Sequence, residues 1–212
     1  MTDYWPHLHD DPYALARLKK SIELANVSDH HSVLDVGCHQ EEARQFLPKG
    51  CRYLGLDHIK GDDFDGGFKL HRKFDRIICL EVLEHLKYPR KVLASIASHL
   101  AIDGICVISL PNEATLFHRL RGLFLGEMDG EAFGECGKHL HLPSLKQSQA
   151  FVAEYLLVVS VSSYMSLCVT GVKQKALAKI LKILTPEPVL KFLAFFLPSL
   201  FARGFIFVCK KK

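Results

Sequence analysis

Gly37 and Asp57 lie about 20 residues apart, each just beyond a short apolar run: SVLDV at 32–36 and RYLGL at 52–56. Runs of this length, rich in branched side chains and closed by a glycine or an acid, read as buried strands. The backbone N–H groups of Gly37, Cys38 and His39, with a helix start expected at Glu41, would then face the crevice beyond the strand ends. Asp57, followed by His58, presents a carboxylate that can accept both hydroxyls of a ribose. The pair points to a nucleoside-type ligand.

Histidines form the second group with chemical potential. His85 follows the run DRIICL at 75–80, and His139 and His141 alternate in HLHLP, so on an extended segment both point to one side. All three fall near the expected crevice mouth, where a side chain titrating near neutral pH can serve as a base. For His85 the plainer reading is a helix residue that caps or packs locally. Cys136 gives His139 and His141 a metal reading, but a third and fourth ligand at defined spacing is absent, so no metal site is expected. His7, His9, Asp10 and Asp11 read as a polar N-terminal arm, and His30 and His31 as surface residues.

A chain of 212 residues suits one sizeable core, and 49% apolar with 24% charged residues fits a globular protein. A helix is expected from Pro12 to Asn26, with Leu15, Leu18, Ile22 and Ala25 at helical spacing. Strands are expected at 32–36, 52–57, 75–80, 104–110, 156–164 and 204–210, and the polar, glycine-rich stretch 57–74 has room for little more than one short strand. Between them, Pro89 starts a helix with Val92, Ile96 and Leu100 on one face, AIDG at 101–104 forms a turn, and Leu116, Leu120 and Leu123 mark another helical piece. A glycine-rich loop covers 126–137, and Ser144 caps a helix ending near Tyr155. Alternation of strand and helix implies a parallel sheet.

The segments VLDVGC, YLGLD, FDRIICLEVLEHL and, after AIDG, CVISLPN occur in an order that resembles a class I S-adenosylmethionine-dependent methyltransferase. The likeness covers Val33 to about Asn112, and HLHLPSL looks like the entry to the family's second half. It implies an α/β, Rossmann-like, doubly wound and mostly parallel seven-stranded sheet with the last strand antiparallel, plus a C-terminal helical insertion. It implies one domain, with an N-terminal arm and helix at 1–31, a cofactor half at 32–112 and a substrate half at 113–212. Carried over by position, Asp35 and Gly37 match the first motif, Asp57 the ribose acid, and Leu80, Glu81 and Val82 the wall beside S-adenosylmethionine, with Glu84 and His85 on the next turn. The adenine-contacting acid falls among Asp62, Asp63 and Asp65, with Asp63 ranked first. Where the family continues with glycines, this chain has Cys38, His39, Gln40 and Glu41; glycine there lets backbone reach a ligand at positive φ. A nicotinamide dehydrogenase shares the strand, turn and distal acid but needs a fuller glycine fingerprint.

The resemblance implies methyl transfer to a small-molecule or lipid-linked acceptor, an in-line displacement that mainly needs alignment. The alternative is a non-catalytic protein of the same fold that binds a partner or a membrane surface through its insert. That insert, 172–203, carries a basic amphipathic helix with Lys175, Lys179 and Lys182, then the apolar VLKFLAFFL. Three readings follow: a lid, a homodimer contact, or peripheral docking on a membrane. A net charge of +4 with dispersed basic residues argues for no nucleic-acid partner. With seven scattered cysteines without a CxxC, and a polar N-terminus without a signal-like run, a cytoplasmic protein is expected.

Overall fold

The computed structural model describes residues 12–126, 139–166 and 187–212. Strands β1 (Ser32–Val36), β2 (Arg52–Leu56), β3 (Phe74–Leu80) and β4 (Leu100–Pro111) run parallel. With β5 (Leu156–Ser166) and β6 (Ala202–Lys211) they form one sheet in the order β2-β1-β3-β4-β6-β5, β6 lying antiparallel to both neighbours. The chain winds outward from β1 to β2, then crosses back to β3 on the other side of β1. This reversal opens a crevice at the carboxyl ends of β1 and β3.

The central strands are apolar on both sides because both faces are covered. Helix α1 (Pro12–Ala25) lays Leu18 and Ala25 on one face, near Val33, Ile78, Val107 and Ile206. Helix α2 (Pro89–His99) begins on a proline whose missing N–H has no helical partner to lose, and it buries Val92, Leu93 and Ile96 on the other face against Leu34, Ile77 and Phe74. Helices α3 (Leu116–Leu125) and α4 (Leu145–Ala153) follow, the second opened by a reciprocal capping box between Ser144 and Gln147. Helices α5 (Glu187–Phe196) and α6 (Pro198–Phe201) lead into β6.

Three local expectations change. Among the described residues the sheet has six strands, not seven: 57–73 holds only a 3-10 turn, His58–Lys60, and irregular chain anchored by buried Phe64. After Gly37 comes the 3-10 turn Glu42–Phe46 in place of a helix from Glu41, since Glu41 is left-handed and Pro48 stops propagation. AIDG is not a free turn; Leu100 already pairs with Phe74, and an irregularity precedes the Arg76–Ile105 pair.

The basic helix expected around Lys175, Lys179 and Lys182 lies outside the described residues, as do Cys136, Cys168 and the arm with His7, His9, Asp10 and Asp11. The rest of the insert includes α5, which packs against β5 and leaves Val189, Phe192, Phe195 and Phe196 exposed. Among the described residues no helix is long and apolar enough to cross a membrane, and the cysteines are free thiols.

Candidate functional site

The turn after β1 is strapped to the end of β2. Gly37 and Cys38 both donate their N–H to the Leu56 carbonyl, at 2.8 and 3.1 Å. Gly37 has φ +78°, and a Cβ there would sit 2.2 Å from Cγ2 of Val82, so only glycine fits. His39 and Glu41 also have positive φ, 47° and 61°. The missing glycines have therefore been replaced without losing the left-handed backbone they would supply. His39 N–H donates to Oδ2 of Asp57 at 2.6 Å and Glu41 N–H to the Cys38 carbonyl at 2.7 Å, contacts that hold the strained turn.

Asp57 is thus both the end of β2 and the brace of the turn, its Oδ1 accepting from Ile59 N–H at 3.0 Å. Each carboxylate oxygen keeps a second lone pair for a ligand. The charge of Glu41 is engaged by Lys60 at 2.6 Å and Arg44 at 3.0 Å, which hold its carboxyl below the ordinary range. His39 turns its ring toward Glu42, with 3.6 Å between Nδ1 and Oε1. Beneath the turn, Asp35 is buried and accepts from the Tyr53 hydroxyl at 2.7 Å; burial pushes its carboxyl up to about 7 against that hydrogen bond. Burial pushes the Cys38 thiol up to about 12, which keeps it protonated.

The other assigned positions spread along the same edge. His58 is exposed and stacks on Phe64 with ring centres 4.5 Å apart. Asp62 accepts from Asp57 N–H at 3.0 Å and Asp65 from Tyr88 N–H at 2.9 Å, while Asp63 is exposed. Leu80 packs toward the α1 side, and Val82 sits over Gly37. Glu81, at φ 55°, accepts from Ser109 Oγ and Tyr164 Oη, both at 2.9 Å, with Arg17 3.8 Å from its other oxygen.

Past Glu81 the 3-10 turn Leu83–His85 carries Glu84 inward and His85 to the crevice. Both Glu84 carboxylate oxygens are buried with no hydrogen-bond partner among the described residues, and burial followed by the neighbouring Glu81 pushes the carboxyl well above its usual range. The Glu84 carbonyl accepts N–H groups from Leu140 and His141 at 2.8 and 3.1 Å, which draws 139–141 against this turn. His139 meets His85 edge to face, ring centres 4.7 Å apart, and places Nδ1 2.6 Å from Oε1 of Glu113. Of the three histidines, His85 and His139 come together; His141 turns away to the Leu86 carbonyl, 2.9 Å from Nε2. Glu84, His85 and His139 offer ligand atoms within 4.8 Å of one another.

Sequence reasoning passed over Tyr53, Arg17, Ser109, Tyr164 and Glu113. Glu113 had a signal, because it stands just past the carboxyl end of β4. Tyr53 and Ser109 lie within the runs YLGLD and CVISLPN but carry no sign of their partners there, and Arg17 and Tyr164 come from segments far away in sequence with no motif to mark them.

A family model described as a methyltransferase domain matches residues 7–152, more than half of the chain. (S)-coclaurine N-methyltransferase of Papaver somniferum is 25% identical over 121 residues, which are 46% of this chain and 34% of that protein, so the match spans about a third of the curated relative. The N-methyltransferase NodS of Bradyrhizobium japonicum, solved with S-adenosyl-L-homocysteine, superposes with a TM-score of 0.57 at 16% identity, covering 100% of this chain and 93% of that one. A solved coclaurine N-methyltransferase gives 0.59 at 15% identity, covering 93% and 70%. The parallel strands, the strapped glycine turn, the acid at the end of β2 and the match over residues 7–152 agree: the chain belongs to the class I methyltransferase-domain family.

Proposed function

We propose that this protein binds S-adenosylmethionine at the turn Gly37–Glu41 and transfers its methyl group to a small-molecule acceptor. The observation that carries this is the Asp57 brace: the acid that would take the ribose hydroxyls also fixes the left-handed turn through His39 N–H, at 2.6 Å. The surroundings fit such a cofactor, since Asp57 keeps acceptor capacity and Glu41 is neutralised by Lys60 and Arg44. When bound, the cofactor supplies a methyl group on a sulfonium, ready for in-line displacement by an acceptor lone pair.

The chain's own residues then bind and orient. Asp57 holds the ribose, the backbone of Cys38 and His39 lines the turn, and an acid of the 62–65 segment, Asp63 first, remains the candidate for the adenine edge. Leu80, Glu81 and Val82 form the wall, with Glu81 fixed by Ser109 and Tyr164. His85 and His139 stand on the acceptor side; Glu113 on Nδ1 of His139 leaves the Nε2 lone pair available. Coclaurine N-methyltransferase, solved with N-methylheliamine bound, supports an acceptor of that size.

Calorimetric titration of the full chain with S-adenosylmethionine tests the reading. Saturable binding is expected, weakened about tenfold or more in Asp57→Ala through loss of a charged acceptor. No binding to the parent chain would overturn it in favour of a non-catalytic member of the fold. Exposed Phe192, Phe195 and Phe196 favour a second reading for the insert, contact with a lipid surface. Co-sedimentation with anionic liposomes of the parent and of a Phe192→Ser, Phe195→Ser variant checks it, and equal pelleting of the two removes it.

A further inference from the structure

We propose that Glu84, His85 and His139 form a binding site for a divalent first-row transition-metal ion on the acceptor side of the crevice. Two imidazoles and a carboxylate offer ligand atoms within 4.8 Å of one another, with Nε2 of His85 3.9 Å from Oε1 of Glu84. Ligands on one zinc-type ion stand closer than this, so modest side-chain closure completes the set.

Two independent observations point to a ligand here. The Glu84 side chain is fully buried, and among the described residues neither of its oxygens has a hydrogen-bond partner. A buried acid left without hydrogen-bond partners is costly on general grounds, so it persists where something else satisfies it. The second observation is Glu113, whose Oε1 lies 2.6 Å from Nδ1 of His139. A metal-bound histidine commonly gives its other ring N–H to a carboxylate, which fixes the tautomer and turns the remaining nitrogen to the ion. Glu113 also has Oε2 3.7 Å from Nε2 of His118, so it is held from a second side.

The donor set selects the ion class. Imidazole nitrogen favours zinc, copper, iron or nickel over calcium and magnesium, the carboxylate admits manganese as well, and three protein ligands leave positions open for a substrate atom. Spacing along the chain hid the site, because Glu84 and His85 adjoin while His139 arrives through the Leu140 and His141 N–H bonds to the Glu84 carbonyl. An ion there would polarise an oxygen of the acceptor; that role rests on the methyl-transfer reading, whereas the binding itself does not.

The test uses the full chain, stripped with chelator and without S-adenosylmethionine. Titration with Mn2+, followed by loss of the free-ion paramagnetic resonance signal, is expected to give saturable uptake of one ion per chain. Loading with Co2+ should give ligand-field bands without a thiolate charge-transfer band. Glu84→Gln and His139→Gln should abolish uptake, Glu113→Gln should weaken it about 10–100-fold with all ligands retained, and His141→Ala should leave it unchanged. The ion should raise the melting temperature of the parent but not of the two ligand variants, which also reports that each variant is folded. Absence of saturable uptake by the parent, uptake that survives both ligand variants, or a thiolate band with Co2+ would each overturn the proposal. Cofactor calorimetry is read separately, so metal without cofactor binding, or the converse, shows which reading has failed.

Discussion

The two walls of the crevice treat their polar groups in opposite ways. On the β1–β2 side nearly every group has a protein partner: Asp57 braces His39 and Ile59, Glu41 is tied to Lys60 and Arg44, and Asp35 holds Tyr53. On the β3–β4 side Glu84 is buried with neither oxygen hydrogen-bonded among the described residues, and Glu81 and Glu113 bring further negative charge toward it. The first wall is a frame that is complete before any ligand arrives. The second carries buried acceptor capacity that no protein group satisfies among the described residues.

Substitution in the frame should have the largest effect. Gly37→Ala puts a methyl 2.2 Å from Cγ2 of Val82 at φ +78°, combining steric overlap with a disfavoured backbone. A loss of about 3 kcal/mol is expected in urea unfolding. Adding Val82→Ala should recover the overlap part and not the φ part. A loss below about 0.5 kcal/mol in the single variant would mean that the turn is not packed as described.

Asp35 gives the next effect and has a defined sign. Its carboxyl rises from 3.8 to about 7 on folding, because burial disfavours the charged form. Between those values the unfolded chain has released its proton while the native chain keeps it, so raising the pH through this window lowers stability; below about 4 the contribution is fully present, and above about 7 it is gone. The total is on the order of a few kcal/mol. Asp35→Asn keeps an oxygen for the Tyr53 hydroxyl and removes the charge, so its urea midpoint should vary less over that window. An unchanged slope would show that Asp35 is not the group responsible.

The contrast between the walls is sharpest in the sign of two carboxylate removals. Asp57→Ala strips acceptors from two backbone N–H groups and should cost about 1–2 kcal/mol. Glu84→Met replaces an unpartnered buried acid with an apolar chain of similar length and should stabilise the metal-free protein by about 1–2 kcal/mol while removing ion uptake. Chemical denaturation of both variants beside the parent decides it. If both changes destabilise equally, the walls do not differ in the way argued.

The frame was far more legible in the sequence than the opposite wall. Strands β1, β2, β3 and β6 are apolar runs, and Ser144 marked the start of α4. The missing seventh strand and the 3-10 turn after Gly37 follow from polar, glycine-rich or proline-stopped stretches that local pattern describes poorly. Left-handed backbone at His39, Glu41 and Glu81 has no local sign, because tertiary hydrogen bonds impose it on residues that do not prefer it. The pairing of Glu113 with His139, and of Arg17 and Tyr164 with Glu81, joins segments that only the sheet order brings together. The three histidines could be named from the sequence, but the divergence of His141 from the other two could not.

The smallest expected effect bears on the feature that made the frame look doubtful in the sequence. If the turn already holds the backbone that glycine would adopt, His39→Gly changes little: it relieves left-handed strain of about 1 kcal/mol and loses a similar amount to the greater freedom of the unfolded chain. The Asp57 contact survives because it uses the His39 N–H and not the ring. Stability should move by less than about 0.5 kcal/mol, and affinity for S-adenosylmethionine by no more than about twofold. A large gain in affinity would instead mean that the imidazole obstructs the ligand, and the turn would then be a frame only for its own backbone.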